Sequence, residues 1–357
     1  MGLSYQQIYL KPEYSVYPSR SDISTSVKYG PNLFKIPVLP ANMKCTIDEN
    51  LAKWMSQEDY FYIMHRFGES PTDTAQEKLG HTYQFVKRAN EEGWKTISIS
   101  IGAQKGDFNL YHRFMIDDLR VDYVCIDIAH AHSVRMRDML RSISTMGAYG
   151  SCKKWRKPFI IAGNAATPQA VLDVELWGAD SVKVGIAQGG ACTTFGQTGF
   201  GVPMFTCMLE CSEVAKKPLI ADGGIKTHGD FAKAFRAGGD MIMAGSFFAS
   251  SADSPAESVV KYFDTGEVRP KTDINGNVVS STYENRIIKK VYKKYYGSAS
   301  SYNKHSDNHI EGTLVELECD GTSYSKKLKH IEEHLQSSIS YAGGDLLSAE
   351  WGVIGEK

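Results

Sequence analysis

The chain has 357 residues, a formal net charge of -1, ten histidines and seven cysteines. So neutral a balance gives no field for nucleic acid or an anionic membrane, and no apolar run reaches the length of a bilayer span. The size suits one α/β barrel or two ordinary domains.

The cysteines (Cys45, Cys125, Cys152, Cys192, Cys207, Cys211 and Cys319) are odd in number, scattered, and free of any CxxC pair. That argues against a disulfide framework or a zinc site and fits a reducing cytoplasm. The opening MGLSYQQIYL lacks the basic-then-apolar layout of a signal peptide.

Eight short apolar runs follow in chain order: FKIPVLP from Phe34, YFYIM from Tyr60, TISISI from Thr96 and DYVCIDIA from Asp122, then PFIIAG from Pro158, DSVKVG from Asp180, PLIAD from Pro218 and DMIMAG from Asp240. Continuous hydrophobicity is what strands buried on both faces show. Between them AQEKLGHTYQFVKRANEEG, PQAVLDVELWGA and HGDFAKAFRAGG place apolar residues at helical spacing, with glycine past the end. FTCMLECSEVA reads as an amphipathic helix with Cys207 and Cys211 facing the core.

Eight such units predict a (β/α)8 TIM barrel. A doubly wound sheet also alternates strands and helices, but no GxGxxG follows the first strand. From about Tyr262 the chain turns polar, and 262–312 reads as an inserted hairpin or flap over the mouth of a single domain, 1–357. Within it KKVYKKYYG reads as a solvated helix. SKKLKHIEEHLQSSISYAGG reads as a closing amphipathic helix.

Reactive and glycine-rich residues gather at the C-terminal ends of the runs, the face where barrels build active sites. The run GIAQGGACTTFGQTGFG, Gly185 to Gly201, sets Cys192 among six glycines. It is either a flexible loop with an incidental cysteine or a mobile mount for a nucleophile. IADGGIKTHGD and IMAGSFFAS occupy the last two units, where backbone N–H groups commonly hold phosphate. There Asp222 suits ribose hydroxyls, and Gly223, Gly224, Gly245 and Ser246 suit the phosphate. In CIDIAHAHS, Asp127 suits a polar ligand group, and the His130–His132 pair lacks a third metal ligand.

Taken together, SRSDISTSV, LPANMKCTIDENLA, YFYIMHRF, IDIAHAHS, IAGNAATP, CTTFGQTGFG, PLIADGGIKTHGDFAKA, YYGSAS and LQSSISYAGG span nearly the whole chain. The sequence resembles the IMP dehydrogenase/GMP reductase superfamily, in its shorter bacterial reductase branch. The resemblance implies NADPH-dependent reductive deamination of GMP to IMP and ammonia through a covalent cysteine–purine intermediate. It implies Cys192 as nucleophile, with Thr194 and Glu311 moving the proton for the leaving amine.

By the same resemblance Asp222, Gly223, Gly224, Gly245, Ser246, Gly189, Gly190, Ser298, Ala299 and Gly312 hold the nucleotide. Asp127, Asn164 and Arg66 lie by the nicotinamide. Ser337 and Tyr341 reach a neighbouring subunit's adenosine in a homotetramer. A monovalent cation such as K+ is implied at the carbonyls of Gly185, Gly189 and Cys192.

Departures from the family pattern are Gly190 for a phosphate-binding serine, Ala187 and Gln188 for Gly-Pro, Ser301 for an acid, and longer stretches at 144–157 and 262–294. They raise the expectation of an altered substrate range, for example toward dGMP. The rival reading is IMP dehydrogenase, turning IMP into XMP with NAD. It needs a flap arginine to activate water, yet no arginine follows Arg286. It also usually carries a pair of regulatory (CBS) domains, for which Met64 to Thr96 leaves no room. A rival of another class is a catalytically dead nucleotide sensor, for which retaining Cys192, Thr194 and Glu311 together serves no purpose.

Overall fold

A computed structural model describes all residues except 1, 69, 71, 147–155, 273–277, 298, 305–309 and 356–357. The expanded 144–157 stretch therefore lies largely outside the described residues, as does Ser298. The first strand, β1 (Ile8–Leu10), pairs antiparallel with the last, β14 (Trp351–Val353), tying the two ends of the chain together. A hairpin of β2 (Val27–Tyr29) and β3 (Asn32–Phe34) follows.

Seven parallel strands come next: β4 (Val38–Pro40), β5 (Ser98–Ile101), β6 (Tyr123–Asp127), β7 (Phe159–Ala165), β8 (Ser181–Val184), β9 (Leu219–Asp222) and β10 (Met241–Ala244). Their order is β4-β10-β9-β8-β7-β6-β5, a sheet curved towards closure. Helices between them are α1 (Glu49–Gln57), α2 (Ala75–Glu91), α3 (Lys105–Ile116), α4 (Val134–Met146), α5 (Pro168–Trp177), the short α6 (Thr194–Thr198), α7 (Met204–Val214) and α8 (His228–Arg236). This is the α/β TIM-barrel architecture that eight βα units predict.

One expected strand is corrected. The run YFYIM from Tyr60 forms no ladder, only a parallel bridge from Met64 to Ile99. Tyr60 gives its N–H to Met55 at the end of α1, which bends the segment before it can pair. The segment still fills the gap between β4 and β5. Lys35 donates to the Asp59 carbonyl at 3.0 Å, and Ser100 to the Met64 carbonyl at 2.8 Å.

Side chains alternate along the strands, as a pleated backbone requires. Leu39, Phe61, Ile63, Cys125, Ile161, Ile220 and Met243 point inward and form one cluster. Val38, Tyr62, Ile99, Val124, Ile160, Val182 and Ile242 point outward to the helices and form another. Tyr29 and Phe34 of the hairpin close the lower end, with Tyr29 stacked on Tyr123 at 6.0 Å. Strand β8 breaks the apolar rule on its inward face with Ser181 and Lys183, both buried. That break positions the site. Cys207 and Cys211 of α7 are fully buried, as their spacing predicts.

After the short helix α9 (Ser246–Ala249) the chain rises into a long hairpin, β11 (Ser258–Thr272) and β12 (Val278–Tyr296). The short helix α10 (Ser301–Lys304), the strand β13 (Leu314–Glu318) beside β12, and α11 (Tyr324–Tyr341) complete the chain. The expectation of a helix at KKVYKKYYG is therefore wrong. IIKKVYKKYY repeats every four residues, close to a helical period, but its β-branched and aromatic residues favour a strand. Three of its lysines have partners of their own. Lys290 meets Glu318 at 2.9 Å, and Lys294 meets Glu257 at 2.7 Å. Lys293 is buried and donates to the Ser254 and Ala256 carbonyls at 3.2 and 3.3 Å.

Candidate active site

A cavity of about 400 Å³ opens at the C-terminal ends of the barrel strands. Arg66, Asp127, Asn164, Gly185, Gly189, Gly190, Cys192, Thr194, Asp222, Gly223, Gly224, Gly245, Ser246, Ala299 and Glu311 all line it. The barrel thus brings together side chains spread over most of the chain.

At its centre the Cys192 thiol donates to Thr194 Oγ1 at 3.2 Å, and the Thr194 hydroxyl donates to Glu311 Oε2 at 2.8 Å. Backbone pairing holds this row in place. Thr193 N–H bonds the Glu311 carbonyl and Thr313 N–H bonds the Ala191 carbonyl, each at 2.9 Å. Gly312, which does not line the cavity, forms bridges with both Cys192 and Ser300. A segment 117 residues downstream of Thr194 therefore delivers the carboxylate, held against the cysteine loop by isolated backbone bridges.

The loop's freedom is visible at two neighbours of the thiol. Ala187 adopts φ 66°, a left-handed conformation that favours glycine. Gly190 has room for a side chain, since an added Cβ would meet nothing closer than 3.8 Å.

Beside the thiol lie the two glycine turns. Gly223 and Gly224 have φ of 99° and 79°, which lets the chain turn sharply after Asp222. An added Cβ at Gly245 would overlap the Tyr295 hydroxyl. Tyr295, buried on β12, accepts a hydrogen bond from Ser246 N–H, and burial pushes its phenol pKa up. Sequence reasoning missed Tyr295 because it treated KKVYKKYYG as a solvated helix.

The cavity lining includes a charge cluster centred on Lys183, which also went unread. Lys183 is 3% exposed, with Nζ 2.7 Å from Asp222 Oδ2 and 3.1 Å from Asp127 Oδ1. Burial alone would lower its pKa, but Asp127 and Asp222 raise it well above the usual lysine range. Burial would likewise raise Asp127, yet Lys183 and Arg66 hold its carboxyl below the ordinary value.

Asn164 accepts from Lys183 and donates to Asp222 Oδ2 at 2.8 Å. Asn42 donates to Asp127 Oδ2 at 3.0 Å. Both protein bonds to Asp222 fall on Oδ2, leaving its other oxygen for a ligand. The lone lysine in DSVKVG was the available signal. Lys183→Met should destabilise the fold by roughly 3–5 kcal/mol, because it leaves two partly buried, adjacent carboxylates without their shared cation. Urea unfolding at neutral pH measures this, and a loss under about 1 kcal/mol would contradict the pairing.

His65, next to Arg66, is partly buried; burial and nearby Lys44 lower its pKa to about 4. A folded pKa below the ordinary 6.5 means that the unfolded chain binds more protons. The stabilisation is complete above pH 6.5 and is lost as pH falls from there towards about 4. Between pH 7.5 and 5 this amounts to about 2 kcal/mol, which His65→Gln should remove from the pH profile of stability.

The remaining expectations fall elsewhere. Ser337 and Tyr341 do not line the cavity; they sit on α11, each 3.3 Å from the Arg20 guanidinium. Two of the three carbonyls suggested for K+ already accept hydrogen bonds, Gly185 from Asn164 and Gly189 from Cys192 N–H. His132 bonds Asp173 at 2.8 Å, and no metal-holding group of His, Cys, Asp or Glu occurs among the described residues. None of the six described cysteines is in a disulfide. No helix among the described residues is long and apolar enough to cross a membrane.

The described chain is a TIM-barrel enzyme with a thiol, a hydroxyl and a carboxylate in a row beside two glycine turns at its C-terminal face. The family model for the "IMP dehydrogenase / GMP reductase domain" matches residues 2–349, and the chain belongs to that family. Similar curated proteins include the GMP reductase of Staphylococcus epidermidis, 39% identical over 95% of this chain and 91% of that protein. The GMP reductase of Staphylococcus aureus is 40% identical over the same shares. That of Leptothrix cholodnii is 38% identical over 96% and 92%.

Proposed function

We propose that this chain is a GMP reductase, an oxidoreductase that converts GMP to IMP and ammonia with NADPH. The observation that carries the reading is the hydrogen-bonded row from Cys192 through Thr194 to Glu311. A thiol needs to lose its proton before it attacks, and this row leads that proton to a carboxylate.

The Cys192 sulfur adds to C2 of the guanine ring. Glu311, through Thr194, then returns a proton to the C2 amino group, which leaves as ammonia. The purine stays bonded to sulfur through C2. NADPH, when bound, supplies a hydride for that carbon. Cys192 then departs as thiolate, the C–S bond breaks, and IMP is released. Sulfur serves both steps because it is a strong nucleophile and a good leaving group.

Asp222 holds the ribose, with its orientation fixed by Lys183 and Asn164. Gly189, Gly190, Gly223, Gly224, Gly245 and Ser246 surround the phosphate, with Ala299 and Gly312 on the purine side. Segment 262–312 serves as the flap that carries Glu311 to the thiol. A nicotinamide beside the thiol is supported by Arg66, whose Nε is buried without a hydrogen-bond partner and which lines the cavity with Asp127. Arg66, Asp127 and Asn164 would hold that end of the cofactor. Ser337 and Tyr341 do not line their own cavity, which supports their serving a neighbouring copy's adenosine in a homotetramer.

The test is a substrate panel followed by cofactor absorbance and ammonia release. GMP with NADPH should turn over, and IMP with NAD should not. The reverse pattern would assign IMP dehydrogenase, and silence with both would assign a nucleotide sensor. Including dGMP tests the changed loop; dGMP used better than GMP would show that Ala187, Gln188 and Gly190 retune the site.

A further inference from the structure

The two ends of the cysteine loop meet in a narrow neck. The loop leaves the barrel after β8 at Ile186 and returns at Val202, just before α7. The Gln188 side chain stands between these ends. Its Nε2 donates to the Ile186 carbonyl at 2.9 Å and to the Val202 carbonyl at 2.7 Å. Both partners only accept, so the amide nitrogen faces them, and its two hydrogens match two carbonyls. One side chain thus ties together both ends of the run that carries Cys192 and Thr194.

Packing at the neck is close. An added Cβ at Gly201 would stand 3.0 Å from the Ala187 Cβ and 3.2 Å from the Phe195 ring, so the outgoing and returning segments touch. Ala187, left-handed at φ 66°, turns the chain so that the residue after it reaches back to the carbonyl before it. The Gln188 carbonyl accepts from Gly224 N–H at 3.2 Å, and an added Cβ at Gly223 would lie 3.0 Å from the Gln188 Cβ. Gln188 therefore meets both the neck and the glycine turn after Asp222, and it lines the cavity. Proline, which the family pattern places here, has no such donor. The clamp belongs to this chain.

We propose that Gln188 is a positioning residue for the reaction. By pinning Ile186 to Val202 it fixes where the loop presents Cys192 to Thr194, Glu311 and the nucleotide. A loop closed at its neck loses the conformers in which the thiol points away, so less ordering is left for the moment of binding. The effect on rate rests on the reductase reading of the cavity; the effect on the loop rests on the two hydrogen bonds alone.

Two variants of the full chain test this. Gln188→Glu keeps the shape but sets a carboxylate against two carbonyls, and Gln188→Met keeps the bulk without a donor. In both, kcat for GMP should fall about 10- to 100-fold through misplacement of the thiol. KM should stay within about threefold, because the backbone bond from Gly224 to residue 188 survives. Hydrogen exchange over 186–202, followed by mass spectrometry without nucleotide, should quicken at least about fivefold. Unchanged exchange in both variants would overturn the clamp. Faster exchange with an unchanged kcat, or a rise in KM that matches the fall in kcat, would overturn the positioning role. A wild type inert towards GMP whose variants still exchange faster would remove the reductase reading and leave the clamp supported.

Discussion

Replacing Cys192 by alanine is expected to lower kcat for GMP by about 10⁴-fold or more, with nucleotide affinity kept within a few-fold. In the proposed mechanism the thiol forms the bond on which both halves of the reaction depend, and no other described thiol lines the cavity. The groups proposed to bind the nucleotide are different ones: the glycine turns, Ser246 and Asp222 are untouched by the change. Steady-state rates and an equilibrium titration with GMP separate the two effects. Loss of affinity in proportion to rate would point to a collapsed loop instead.

Glu311→Gln is the second large effect, a fall in kcat of roughly 10²- to 10⁴-fold. The amide is nearly isosteric and still accepts from Thr194, so the bridges that seat Gly312 on the cysteine loop should survive. What it loses is the capacity to take and return a proton. KM for GMP should change little. An equal fall in kcat and rise in KM would assign Glu311 to ground-state binding and remove it from the proton path.

Much of this was legible from residues alone. Strands buried on both faces read as unbroken apolar runs, and seven of the eight became strands with their reactive ends on one face. The glycine turns were legible because glycine is the residue most favoured at the positive φ that Gly223 and Gly224 adopt. The row from Cys192 to Glu311 was legible only through family resemblance. Glu311 is far along the chain, and nothing in HIEGT marks it as more than a loop acid.

What stayed hidden has physical causes. The YFYIM run has a strand's composition, but α1 takes its first N–H. IIKKVYKKYY has a helical period, but it is fixed as a strand by pairing with distant partners in β11 and β13. Lys183 looked like one polar residue in a buried run. Its role depends on two carboxylates brought beside it by other strands, and such convergence is invisible until the barrel closes.

The most direct test of the account is mass spectrometry of the tryptic peptide Val184–Lys216 after acid quench of the enzyme turning over GMP with NADPH. The account predicts a fraction of this peptide heavier by GMP less ammonia. Fragment ions should place the addition on Cys192 rather than on Cys207 or Cys211. An unmodified peptide at every quench time, while IMP and ammonia accumulate, would contradict it.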